Sequence, residues 1–158
     1  MISVVIDVRE GEEERLARTL ASLVPATVEG AVREAVVIGA GEAVKVADHA
    51  GCRVAGSLAE AVETTRCDWL LFLEPGARLL GGWSEAALSH MSGKAGPARF
   101  SRERSAKVTL AQRLRPRLLS RGLLIAREEA RRLLKGGVGK LPGRLRLGRL
   151  AARIVPAA

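Results

Sequence analysis

Three stretches of this sequence place acidic residues or glycines directly behind short apolar runs, where a buried strand would give way to a loop. Asp7, Val8 and Glu10 follow the run Ile2–Ile6; Gly39-Ala40-Gly41-Glu42 follows Ala35–Ile38; and Glu74-Pro75-Gly76 follows Trp69–Leu73. Gly41 has two readings, a close backbone approach to a phosphate or simply a tight turn. Glu74 could cap its own turn, which Pro75-Gly76 already explains, and Asp7 and Glu10 could belong to a solvated loop. Gly39-x-Gly41 also begins a dinucleotide-binding signature. Its third glycine position is Val44, however, and it follows the second apolar run rather than the first, which leaves an oxidoreductase reading weak.

The second chemical signal is positive charge. Of the formal +9, residues 1–96 contribute 9 Lys and Arg against 14 Asp and Glu, whereas residues 97–158 contribute 17 against 3. Arg113, Arg115, Arg117, Arg121, Arg127, Arg131 and Arg132 concentrate it. Guanidinium groups bind phosphate bidentately at any pH, so this half suits a diphosphate or an anionic membrane surface, the plain alternative being solvated helix faces. Nucleic acid is disfavoured because base-stacking aromatics are nearly absent beyond Phe100. His49 and His90 read as helix-surface residues and Cys67 as a core thiol. Trp83 reads as a buried anchor or the floor of an acceptor groove. Cys52 and Cys67 have neither the number nor the spacing for a disulfide framework or a zinc site.

The elements that must position these residues follow from periodicity. With 158 residues, 47% of them hydrophobic, the chain has the size of a single domain (1–158), read as a β/α half to residue 92 and a basic half from 97. Ile2–Val8, Ala35–Ile38, Cys52–Ala55 and Trp69–Leu73 read as strands. Leu16, Leu20 and Leu23 mark a helix face ending at Pro25; Glu42–Ala50, Ser57–Arg66 and Ser84–Met91 are further helices, the one over Ser57–Arg66 opened by the capping box Ser57-Leu-Ala-Glu60. In the basic half, strands are expected at Ala98–Ser101 and Gly122–Ala126. A Pro116-interrupted helix is expected over Val108–Ser120 and another helix over Arg127–Lys135, with Leu145–Val155 open between helix and strand. The alternating order predicts an α/β fold with a mostly parallel sheet covered on both faces, and such sheets bind ligands at the carboxyl ends of their strands. No apolar run approaches the roughly 20 residues that span a bilayer. The opening residues lack a basic leader, so a cytoplasmic location is expected, peripheral to the inner face of the membrane if the basic half docks lipid.

Residue by residue, the chain resembles the family 2 glycosyltransferases, the GT-A-fold enzymes that use nucleotide-diphosphate sugars. Ile2-Ser3-Val4-Val5-Ile6 followed by Glu12-Glu13-Glu14 and the Leu-rich helix is similar to their opening strand and helix. Asp68-Trp69-Leu70-Leu71-Phe72-Leu73-Glu74-Pro75-Gly76 sits in place of their W-L-L-F-L-D-A-D segment. Gly82-Trp83 and Gly122-Leu-Leu-Ile-Ala-Arg127 match later motifs. The resemblance implies a three-layer α/β/α fold, a nucleotide-sugar donor held around Asp7, Val8, Glu10, Gly39, Gly41 and Glu74, and Mg²⁺ or Mn²⁺ held by the acidic motif. Of that motif's carboxylates only Glu74 remains as a metal ligand, since Gly76 stands at the second position. Gly39 stands where a carboxylate would help hold the nucleoside, and no acid after Lys135 supplies the family's base. The expectation is therefore sugar transfer from a nucleotide-diphosphate donor, impaired or metal-free. The alternatives are a non-catalytic pseudoenzyme or an adaptor working through its basic half.

Overall fold

In the computed structural model, which describes residues 1–93, 96–103, 121–135 and 146–157, the apolar runs assemble into one eight-stranded sheet. The strands are β1 (Ile2–Asp7), β2 (Val32–Ile38), β3 (Arg53–Ala55), β4 (Trp69–Leu73), β5 (Arg78–Leu79), β6 (Ala98–Arg102), β7 (Leu123–Ala126) and β8 (Gly148–Val155). Their spatial order is β3-β2-β1-β4-β7-β6-β8-β5. The β3-β2-β1-β4 half is parallel throughout, β7 is antiparallel to both β4 and β6, β6 and β8 run parallel, and β5 closes the edge antiparallel to β8.

The helices are α1 (Glu13–Val28), α2 (Glu42–His49), α3 (Leu58–Thr64), α4 (Trp83–Ser92) and α5 (Arg127–Lys135). Because side chains alternate along a strand, β1 and β4 feed two cores. Val4, Ile6, Leu71 and Leu73 pack with Leu16 and Leu23 of α1, Ala43 and Ala47 of α2, and Trp83 of α4. Val5, Leu70 and Phe72 pack with Ala61 and Val62 of α3 and Ala130 of α5. Fully burying a Leu or Phe side chain contributes about 1.5–3 kcal/mol, so these two layers carry the fold.

Most expected elements appear within a residue or two of their bounds, and Trp69–Leu73 and Arg127–Lys135 coincide with theirs. The departures have physical causes. Helix α1 continues through Pro25 to Val28 instead of stopping there. The proline removes only the bond to the Ala21 carbonyl, and both residues lie on the exposed face, where water can accept the loss. Strand β5 has two residues and no pattern of its own; its pairing with Ile154 and Val155 of β8 creates it. The segment left open becomes a strand, with Leu150, Ala152 and Ile154 buried in alternation. Ser57 caps α3 by accepting the Glu60 N–H at 3.1 Å, but the Glu60 carboxylate accepts from the Gly56 N–H, at 2.8 Å, one residue earlier than a standard capping box. The expected helix over Val108–Ser120 lies outside the described residues.

Candidate functional site

The strand register decides which sequence-predicted residues share an edge. Asp7 pairs with Ile38, Ile38 with Ala55, and Ile6 with Leu73, so the four parallel strands end level with one another. Glu74 leaves β4 where Asp7 ends β1. The order β3-β2-β1-β4 reverses direction between β1 and β4, because the chain runs outward from β1 to β3 and then returns to the far side of β1. Sheets of this class open a crevice at such a switch point. Val8 and Gly39 meet there directly: Val8 N–H donates to the Ile38 carbonyl at 2.8 Å, and a Cβ built on Gly39 would lie 3.5 Å from that of Val8. It would also lie 3.2 Å from the Ala43 Cβ, so glycine is what lets β2 pass this close to α2.

Asp7, Val8, Gly39 and Glu74 thus belong to one edge, with Glu10 and Gly41 on the loops leaving it. Asp7 and Glu10 are exposed, Val8 is buried and Glu74 is half-buried. The loop after β1 is tightly tied: the Glu12 carboxylate accepts the Arg9 N–H at 3.1 Å and the Glu13 carboxylate accepts the Gly11 N–H at 3.1 Å. Gly41 has φ +58° and open space beside its Cα, so it both needs glycine and leaves its backbone approachable. The first turn of α2 also carries Glu42, which pairs with Lys45 at 2.5 Å.

The turn after β4 faces inward. Gly76, with φ +95°, donates its N–H to the Arg15 carbonyl at 3.1 Å and to Thr19 Oγ1 at 2.8 Å. A Cβ on Gly76 would point at Ala157 (3.5 Å) and at the Arg15 Cβ (3.6 Å), and Pro75 and Ala77 on either side are buried. The position at which the resemblance implies a second metal-binding carboxylate is therefore packed between α1 and the segment after β8. Sequence reading missed this clamp, although Thr19 was visible as a polar residue on the Leu16/Leu23 face of its helix. Among the described residues no three His, Cys, Asp or Glu side chains gather to hold a metal ion. At this turn Glu74 brings one carboxylate and Gly76 none, short of a metal site built from protein side chains alone.

The basic residues divide. Arg127 donates to the Thr65 carbonyl at 2.7 Å and pairs with Asp68 at 3.2 Å, and Arg131 pairs with Glu63 at 2.8 Å. These two side chains fasten α5 to the residues that end α3 and precede β4. Arg132 is exposed and Arg121 half-buried; Arg113, Arg115 and Arg117 lie outside the described residues. His49 is exposed on α2 and Cys67 is buried. Trp83 is an anchor, 4% exposed, with its ring edge-on to Phe100 at 6.2 Å. A groove of about 770 Å³ lies between α1 and α2, lined by Leu20, Val24, Glu42, Val46 and Cys52.

Solved structures show a common architecture. Glucosyl-3-phosphoglycerate synthase from Mycobacterium tuberculosis, in complex with Mn²⁺, UDP and glucosyl-3-phosphoglycerate, superposes with a TM-score of 0.52 at 20% identity over 81% of this chain. Mannosyl-3-phosphoglycerate synthase from Rubrobacter xylanophilus gives 0.55 at 14% identity over 81%, and S. aureus TarS (1–349) gives 0.57 at 15% over 85%. The fold is of the GT-A glycosyltransferase type. The chain covers 57%, 54% and 48% of these three proteins, about half their length. No protein-family model matches the sequence, and no curated protein matches it. Among the described residues no helix is long and apolar enough to cross a membrane.

Proposed function

We propose that this chain is a glycosyltransferase-like protein that receives a nucleotide-diphosphate sugar at the carboxyl ends of β1, β2 and β4, and that it does not carry out metal-dependent transfer by itself. The observation supporting the first part is the level ending of the parallel strands at a switch point, with Val8 against Gly39 and Glu74 beside Asp7. The M. tuberculosis synthase of the same fold has been solved with UDP-glucose and Mn²⁺. The observation supporting the second part is the turn after β4, where Gly76 supplies no ligand and Ala157 and Arg15 close over it. A divalent cation would normally offset leaving-group charge on a diphosphate. Without it, neutralisation falls to arginine, whose fork binds phosphate oxygens at any pH.

Calorimetric titration with UDP and UDP-glucose, in Mn²⁺ and in EDTA, tests both parts. The expected result is binding that is indifferent to metal, with no hydrolysis of the donor. Binding strengthened by Mn²⁺ together with donor hydrolysis would overturn the metal-free reading, and no nucleotide binding at all would overturn the donor site itself. The adaptor reading is less well supported, because two of its seven arginines are occupied within the fold.

A further inference from the structure

The antiparallel half of the sheet gathers four arginines, Arg99, Arg102, Arg121 and Arg149, on neighbouring strands. Arg99 of β6 and Arg149 of β8 are direct register partners. Arg121 stands where β7 begins, and its carbonyl accepts the Phe100 N–H at 3.1 Å, which sets it between Arg99 and Arg102 along β6. Burial, followed by the positive charges of Arg99, Arg102 and Arg149, pushes the Arg121 guanidinium below its ordinary pKa. The Nε of Arg102 is buried without a hydrogen-bond partner. The neighbouring carboxylate, Glu103, is engaged at 3.2 Å by Arg153. Elsewhere the fold spends its half-buried arginines on carboxylates and carbonyls, as with Arg53, Arg127 and Arg131.

Position adds to this. Strand β7 is antiparallel to β4, with Phe72 paired to Leu123, so continuing the register brings Arg121 level with Glu74. Strand β6 runs antiparallel to β7 and hence parallel to β4, so Arg102 ends on the same edge. Arg121 and Arg102 therefore continue the line of strand ends from the candidate donor crevice into the second half of the sheet, and Arg99 and Arg149 lie level with Phe72, two residues inside that line. Like charges held together in a partly desolvated place repel one another, and a multivalent anion with several acceptor oxygens relieves that repulsion while satisfying the forks.

We propose that Arg99, Arg102, Arg121 and Arg149 form a binding site for a phosphate or diphosphate group. Phosphate carried by the nucleotide and phosphate carried by a separate small molecule share this chemistry, and the test separates them. Inorganic pyrophosphate and UDP are each titrated calorimetrically into the full chain and into R121Q, R99Q/R149Q and R33Q, the last altering an exposed arginine of β2. Circular dichroism establishes that each variant is folded, and R149Q alone, at an exposed position, stands in for any that is not.

Pyrophosphate is expected to bind the unaltered chain and R33Q alike, and to weaken about tenfold or more in R121Q and R99Q/R149Q, the loss appropriate to charge-assisted hydrogen bonds. A parallel loss for UDP assigns the site to the nucleotide's diphosphate; unchanged UDP binding assigns it to a second phosphate-bearing molecule. Absent pyrophosphate binding, or binding equally strong in R121Q and R99Q/R149Q, overturns the proposal. Because the readout is pyrophosphate, a chain that binds no UDP would refute the donor site and leave this one standing.

Discussion

The two halves of the sheet handle charge in opposite ways. At the amino-terminal edge of the parallel half, donors converge on one carboxylate, Glu34, whose side chain is 9% exposed. It accepts the Arg66 N–H at 2.6 Å, the Ser3 hydroxyl at 2.8 Å and the Arg53 guanidinium at 3.1 Å, and Ser3 Oγ accepts the Cys67 N–H at 3.2 Å. Four segments are thereby stapled through one side chain. In the antiparallel half, four arginines gather on neighbouring strands, and Arg121 is partly desolvated beside the charges of the other three. A region whose charges are mutually satisfied is built for stability, whereas one whose charges are left over is built to meet something else.

Joining the halves too tightly should produce the largest effect. Gly122, with φ +63°, lies at the β4–β7 seam, where an added Cβ would come within 3.0 Å of Phe100 and 3.1 Å of Leu73. Backbone strain and overpacking together predict that G122A loses about 2–3 kcal/mol in urea unfolding. A loss below about 0.5 kcal/mol would show that the seam yields freely.

A smaller effect is expected at the staple. Burial alone would raise the Glu34 pKa, but the hydrogen bonds from Arg66, Ser3 and Arg53 outweigh it and leave the carboxyl below its ordinary value. The stabilisation is therefore complete above the unfolded value of about 4.3 and is lost as pH falls through the lower folded value. E34Q should cost about 1–2 kcal/mol at pH 7, with its unfolding free energy converging on that of the parent chain under acid. A constant gap from pH 7 to pH 3 would contradict the charge-based account.

The smallest effect has the opposite sign. With no phosphate present, R149Q removes one member of a repelling group and should raise the melting temperature by about 1 °C at low salt, a gain that vanishes at high salt or with pyrophosphate. A fall in melting temperature at low salt would mean that the arginines are already neutralised.

What could be read from the sequence depended on how local its cause was. The strand Trp69–Leu73 announces itself through an unbroken apolar run, and the helix Arg127–Lys135 through the Gly136-Gly137 pair that follows it in the sequence. Pro25 misled because a proline near a solvent-facing helix end costs little, and solvent exposure is not written in the sequence. Strand β5 and the inward turn at Gly76 exist through partners about 75 and 57–61 residues away in the chain, a distance that periodicity cannot see. The edge holding Asp7, Val8, Gly39 and Glu74 was legible because strand ends in a parallel sheet coincide. The Arg99–Arg149 pairing was not legible, because it depends on β8, whose state the sequence left open.

A crystal of the full chain soaked with UDP and pyrophosphate-free buffer tests the central claim most directly. The account predicts nucleotide density along the ends of β1, β2 and β4, against Val8 and Gly39, with no metal ion between Glu74 and the diphosphate even when Mn²⁺ is supplied. Density elsewhere on the molecule, or a Mn²⁺ ion bridging Glu74 and the diphosphate, would contradict it.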